Sequence, residues 1–378
     1  MSAHAIRLET AGAAVTVVSP EKAVTDWTGR YIGPWWNAAE VPSESVCDGP
    51  LLTASVDREV YDDFAFTMTQ APHTSITYAR ERMLVASDPA GVIQALTSKS
   101  ALTYRSDPTA RSLEIVGCRT EDVATATARL AREMVRGTLL RDGWSILHAS
   151  AVVQEGRVIL TLGRKGAGKT TTALALADRH QLGLLANDRV FVRANEDGGV
   201  DVLPWPSAAA VGLGLLDALG WFDVARDRLE RGESLHPTQD ERVTQALLAD
   251  RAEPLWEEGK ELKAQVFPDQ FGRWFGLTLA TSGQAAALVF PRVEAGAVPA
   301  VEDRGRVLED DDFMSGETED RYPDVFALAQ VDGGGMPAAR QEVARRLSAL
   351  PHHCVVLGHE LGENAELLAK LTGVFSAK

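Results

Sequence analysis

Cysteine is scarce: the 378 residues hold three, Cys47, Cys118 and Cys354. They lie far apart, fit no C-x-x-C spacing and leave one thiol over if two bridge, which excludes a disulfide framework or a cysteine-rich zinc module and suits a reducing compartment. Positive charge is also short, since 38 Lys and Arg stand against 53 Asp and Glu for a net charge of −15. A field of that sign repels phosphodiester backbones and anionic headgroups, so neither nucleic acid nor a membrane surface is expected as a partner. Long apolar runs are missing: the longest, residues 208–216, falls far short of the ~20 residues that cross a bilayer. The first ten residues show no cationic stretch followed by an apolar one, so no secretion signal is expected and the chain reads as cytoplasmic. There is no internal repeat.

What is present is the composition of an ordinary globular protein, with 45% hydrophobic and 24% charged residues. At roughly 150 residues per domain the length predicts about two domains. Residues 1–119 form a smaller β-rich α+β domain, with β-branched and aromatic segments at 15–18, 75–78, 83–86, 102–104 and 113–116. Trp35 and Trp36 sit in a turn, where packing or a subunit contact outranks a ligand-stacking platform, and a homo-oligomer is compatible with this. Residues 120–143 read as a linking helix, opened by Thr120 and Glu121 with Val123, Ala126, Leu130 and Met134 at helical spacing.

From 144 onward the order of elements is that of an α/β domain. Strands are predicted over 144–153 and 157–162, then a hairpin pairing 190–192 with 200–203. Residues 217–263 read as helical, charged and irregular, either a lid or a solvated surface. Residues 301–330 carry ten acidic and three basic side chains and read as a mobile acidic loop. A helix over 337–350, a strand over 354–357 and a helix over 363–371 close the chain.

The most informative stretch is Gly163-Arg164-Lys165-Gly166-Ala167-Gly168-Lys169-Thr170, which satisfies G-x-x-x-x-G-K-[ST] between a β-rich run and the helix-forming stretch that starts at Thr171. Three glycines let the backbone wrap an anion, its N–H groups point inward, and the following helix presents its positive end to the same phosphates. Lys169 would reach the β- and γ-phosphates of a nucleotide, and Thr170 would offer its hydroxyl to Mg²⁺. Nineteen residues after Lys169 an apolar run ends in Asn187-Asp188, room for one helix and one strand. That return is shorter than in typical GTPases and ABC-type ATPases. His148 stands fifteen residues before Gly163, near the end of an apolar run. A lone strand histidine is as readily a core residue as a functional one; its lead-in to the phosphate loop makes it a candidate.

Together, Leu147-His148-Ala149-Ser150, the phosphate loop and Asn187-Asp188 resemble the catalytic domain of the HPr kinase/phosphorylase family, whose fold is shared with phosphoenolpyruvate carboxykinase. The resemblance is clear over about 143–203 and loose beyond. It implies that the loop binds ATP with Mg²⁺, that Asp188 is the base activating an acceptor hydroxyl, and that His148 assists at the transfer site. It also implies Thr170, Asn187 and Asp188 as metal ligands. Two departures stand out. Asn187 occupies a position where the family usually has a first aspartate, and the family's stretch associated with acting on HPr is absent. HPr is therefore not the expected acceptor, and the chain is more similar to divergent kinases of the family, some of which phosphorylate a serine of a precursor peptide. Lys260 and Lys263 precede an apolar segment, and Lys263 is a candidate phosphate clamp, against the plainer reading of a solvated lysine. The resulting expectation is an ATP- and Mg²⁺-dependent kinase acting on a hydroxyl of a peptide serine or small metabolite. The alternative is a nucleotide-gated binding protein without transfer.

Overall fold

A computed structural model describes residues 3–43, 49–303, 305–315 and 323–373. Cys47 and the 304 and 316–322 parts of the acidic stretch lie outside the described residues. The fold is mixed α/β, with two nine-stranded sheets, and the chain divides into two compact units, Met1–Trp144 with Met314–Met336, and Ser145–Phe313 with Pro337–Lys378.

The first unit contains β1 (His4–Thr10), β2 (Ala13–Ser19), α1 (Lys22–Ile32), β3 (Asn37–Val41), β4 (Leu51–Val56), α2 (Arg58–Gln70), β5 (Thr74–Tyr78), β6 (Glu81–Ser87), β7 (Ile93–Thr97), β8 (Leu102–Asp107), β9 (Ser112–Gly117) and α3 (Thr120–Arg141). Its strand order is β3-β1-β2-β4-β9-β8-β7-β6-β5. Trp35 and Trp36 are each 1% exposed, so they pack in the core and offer no stacking platform.

The predicted linking helix differs in role from its expectation. α3 packs on α1, β2, β4 and β9, because its apolar face at Val123, Ala126, Leu130 and Met134 is wide enough to be core. It also buries charge: Arg132 and Arg136 bond the Glu133 carboxylate at 3.1 and 2.8 Å. Burial alone would raise the Glu133 pKa, but the Arg136 and Arg132 charges outweigh it and hold the carboxyl below its usual range.

Residues 314–336, expected with the second domain, belong to the first unit. Arg141 donates to the carbonyls of Leu328 and Ala329 at 2.6 and 3.1 Å, and the Ser106 hydroxyl to that of Phe326 at 2.8 Å. The Phe326 ring sits against Tyr78 and Tyr104, with centroids 5.7 and 5.2 Å apart.

The second unit begins with β10 (Ser145–Leu147), β11 (Ala149–Gln154), β12 (Arg157–Leu162), α4 (Lys169–His180), β13 (Gly183–Ala186), β14 (Val190–Ala194), β15 (Val200–Pro204) and β16 (Ala209–Val211). It continues with α5 (Leu213–Ala218), α6 (Phe222–Glu230), α7 (Glu241–Leu248), β17 (Leu255–Glu257), β18 (Lys260–Leu262), β19 (Ala264–Val266), α8 (Pro268–Phe275), β20 (Gly283–Val293), β21 (Ala300–Val301), α9 (Pro337–Leu347), β22 (His352–Leu357) and α10 (Leu361–Thr372). The sheet runs β10-β14-β15-β20-β12-β11-β13, with β22 also on β20 and β21 on β22. One apolar cluster on it joins Leu147, Leu160, Leu162, Leu185, Phe290 and Val343, while α4 packs on β11, β12 and β13.

Two expectations need correction here. The strand predicted over 144–153 is broken at His148, which separates β10 from β11. The stretch 217–263 is helical only to Leu248, and then forms the β17–β18 ribbon. Glu258 and Gly259 both take positive φ there, +48° and +74°, as a two-residue turn with the twist of a hairpin requires. Among the described residues, no helix is long and apolar enough to cross a membrane.

Candidate functional site

Strand register gathers the predicted residues at one end of the second sheet. β11 and β12 are antiparallel with Ala149 opposite Leu162, so His148 and Gly163 leave the sheet side by side. β13 pairs antiparallel with β11 with Ala186 opposite Ala151, so Asn187-Asp188 emerge at that same end. β14 pairs with β10 with Val190 opposite Leu147, and continuing that register sets Arg189 opposite His148. β20 runs parallel to β12, with Val289 opposite Thr161, and its Pro291–Val293 end follows the loop.

The loop between β12 and α4 has the backbone its glycines permit. Gly168 takes φ +101°, and a Cβ there would stand 2.6 Å from Val293 Cγ2. Gly163 takes φ +154°, and its Cβ would meet that of Ala167 at 2.8 Å. Both the conformation and the space exclude a side chain. Ala167 N–H donates to Arg164 O at 3.1 Å, and Thr172 N–H to Gly168 O at 2.8 Å as the first helical bond. The amides of Lys169, Thr170 and Thr171, one turn earlier, have no acceptor within the helix, as at every helix start.

Lys169 folds back over the loop and donates from Nζ to Gly163 O at 2.6 Å. Arg164, Lys165 and Gly166 are exposed, and Ala167, Gly168, Thr170 and Thr171 half-buried. From Gly163 to Thr172 the chain carries three cations and no carboxylate, a positive spot on an acidic protein. Ser150, fully buried in β11, donates its hydroxyl to Lys169 O at 2.7 Å and fixes the start of α4.

The residues after β13 divide the work. Asn187 is 6% exposed, and its Oδ1 is buried with no hydrogen-bond partner among the described residues. A lone buried acceptor is costly unless a donor or cation meets it. Asp188 is exposed. With the Thr170 hydroxyl, these are oxygen donors of the kind Mg²⁺ takes, and the orphaned Asn187 oxygen fits such a cation.

Three features of this end carry no signature in the sequence pattern. His148 N–H donates to Asp312 O at 2.7 Å, next to a bridge between Leu147 and Phe313. Asp312 is 4% exposed, pairs with Arg306 at 2.7 Å and accepts from Glu309 N–H at 2.9 Å. Asp312 is therefore a buried structural anchor, not part of a mobile acidic loop. Arg306 in turn lies 4.7 Å from the Phe290 ring centroid. Arg189, adjacent to the acid, approaches Asp188 at 3.8 Å.

Lys263 follows β18 and pairs with Glu261 at 3.3 Å, and none of the registers that gather the other residues includes it.

No family model matches the chain, and no curated protein does. Among solved structures, the Hpr(Ser) kinase/phosphatase from Coxiella burnetii overlaps it with 14% sequence identity and a TM-score of 0.22, covering 44% of this chain. The overlap takes in 65% of that protein, less than two thirds of its length.

Proposed function

We propose that the second unit is an ATP-dependent kinase acting on a hydroxyl group. The observation that supports this most is the convergence, at one sheet end, of the glycine loop with its lysine, the Asn187-Asp188 pair and His148. In this reading the loop amides and the start of α4 hold the triphosphate, while Lys169 leaves Gly163 O for the β- and γ-phosphate oxygens. Thr170, Asn187 and Asp188 would hold Mg²⁺, which would supply charge neutralisation for the phosphates. Asp188 orients the acceptor hydroxyl and takes its proton as the acceptor oxygen bonds to the γ-phosphorus. The bond from the γ-phosphorus to the bridging oxygen breaks, and ADP leaves with that electron pair. His148 steadies the acceptor side. Catalysis of this kind rests on positioning and charge rather than on covalent chemistry by the protein.

The acceptor is a serine-bearing peptide or a small hydroxyl metabolite, other than HPr. Incubation with γ-labelled ATP, Mg²⁺ and candidate peptides or cell extract, followed by mass spectrometry, should find an acceptor gaining one phosphate. The neutral Asn187 favours a second reading, a nucleotide-gated binding protein, because losing a carboxylate weakens metal-assisted transfer more than nucleotide binding. Nucleotide binding with no phosphorylated product and no ATP consumption would select it.

A further inference from the structure

Arg189 has a setting that neither the phosphate loop nor the acid pair explains. Its guanidinium lies 5.7 Å from the Trp205 ring centroid, and Trp205 stacks on Phe191, with centroids 5.2 Å apart and planes at 26°. Both aromatics are buried, at 4% and 0% exposure. Phe191 lies in β14 and Trp205 follows β15, strands paired through Phe191 and Leu203. The arginine is therefore laid on a rigid aromatic shelf, which limits its rotamer freedom and leaves the guanidinium edge to choose partners.

On that shelf its bonding is incomplete. Its approach to Asp188, 3.8 Å from Nε, is an ion pair but too long for a hydrogen bond, and Nε is buried with no hydrogen-bond partner. The side chain is 27% exposed, so the group also opens to solvent. Continuing the β10–β14 register sets its backbone opposite His148, one residue past Asp188, at the sheet end where the loop leaves β12. A cation in that place, poorly satisfied by its carboxylate neighbour, matches a ligand with more negative charge and more acceptor oxygens than one carboxylate offers.

Resting on the reading of the loop as a nucleoside triphosphate site, we infer that Arg189 contacts the γ-phosphate, swinging from Asp188 to the terminal oxygens when a triphosphate is bound. The exchange does two things. It adds a positive charge at the terminal phosphate oxygens, and it releases the Asp188 carboxylate for the acceptor hydroxyl. Guanidinium binds phosphate oxygens bidentately, so lysine should be an incomplete substitute.

The test needs no acceptor. Mg²⁺-ATP and Mg²⁺-ADP affinities are measured by calorimetry for the wild type, Arg189→Ala, Arg189→Lys and Trp205→Leu, with melting curves alongside. A γ-phosphate contact predicts that Arg189→Ala weakens ATP by ~10-fold or more and leaves ADP within about twofold, with Arg189→Lys intermediate. Trp205→Leu should reduce the ATP preference in the same sense. Equal losses for ATP and ADP, or an unchanged ratio, overturn the inference while the nucleotide site stands. A wild type that binds neither nucleotide overturns the site itself, and the inference with it.

Discussion

Asp188 and Asn187 are neighbours in sequence but differ in environment, and the roles assigned to them follow from that. Asp188 is 55% exposed at the side chain, open to an incoming hydroxyl, whereas Asn187 is buried with an unmet oxygen. Asp188→Asn should therefore keep ATP affinity within a few-fold but lower phosphoryl transfer by ~10²-fold or more, the scale of a positioned general base. Calorimetry and a product assay on one preparation check both halves. The residues of the loop and the acid pair were legible in the sequence because their spacing is local. Ser150, Asp312 and Arg306 were not, since each acts through a bond to a backbone atom or a partner brought near only by folding. Arg189 was not singled out either, since its aromatic shelf depends on Trp205, sixteen positions away.

At the level of elements, the strand–loop–helix succession and α3 were legible from glycine placement and helical periodicity. β20 was not singled out, because Gly283, a run of alanines and Pro291 give it little β-propensity; its place comes from pairing with β12 and β22 on opposite sides. The break at His148 was invisible for another reason: the apolar run continues through it, and the chain changes pairing partner from β14 to β12 and β13 with one residue between. The loop's dependence on its backbone is testable at Gly168, where an alanine must adopt φ +101° and meet Val293. Gly168→Ala should weaken ATP binding at least ~10-fold and cost about 1–3 kcal/mol of stability, read by denaturant titration. In α3, Glu133→Gln leaves Arg132 and Arg136 buried without their counter-charge and should cost about 3 kcal/mol. The folded carboxyl lies below its unfolded value, so its stabilisation is present above the unfolded pKa of ~4.3 and is lost as pH falls through the folded value. The wild type should thus lose stability on acidification through that window, and the Gln variant should show a shallower loss, as melting temperature against pH will record.

For the whole molecule, the net charge of −15 and the positive loop at the end of β12 set opposite expectations for the two substrates of the proposed reaction. The loop must concentrate enough cation locally to hold an anion against the field, while an acceptor bearing Lys or Arg is drawn in, with a kcat/KM that falls as salt rises. The return of residues 314–336 to the first unit is held by Arg141, Ser106 and Phe326 contacts that no periodicity announces. The central claim is that the loop at the end of β12 holds a nucleoside triphosphate, and the most direct measurement is calorimetric titration of Mg²⁺-ATP into the wild type and Lys169→Ala, with melting curves for both. The account predicts saturable one-site binding by the wild type and loss of measurable binding by Lys169→Ala at an unchanged melting temperature. Equal affinity in the two proteins, or no binding by the folded wild type, would contradict it.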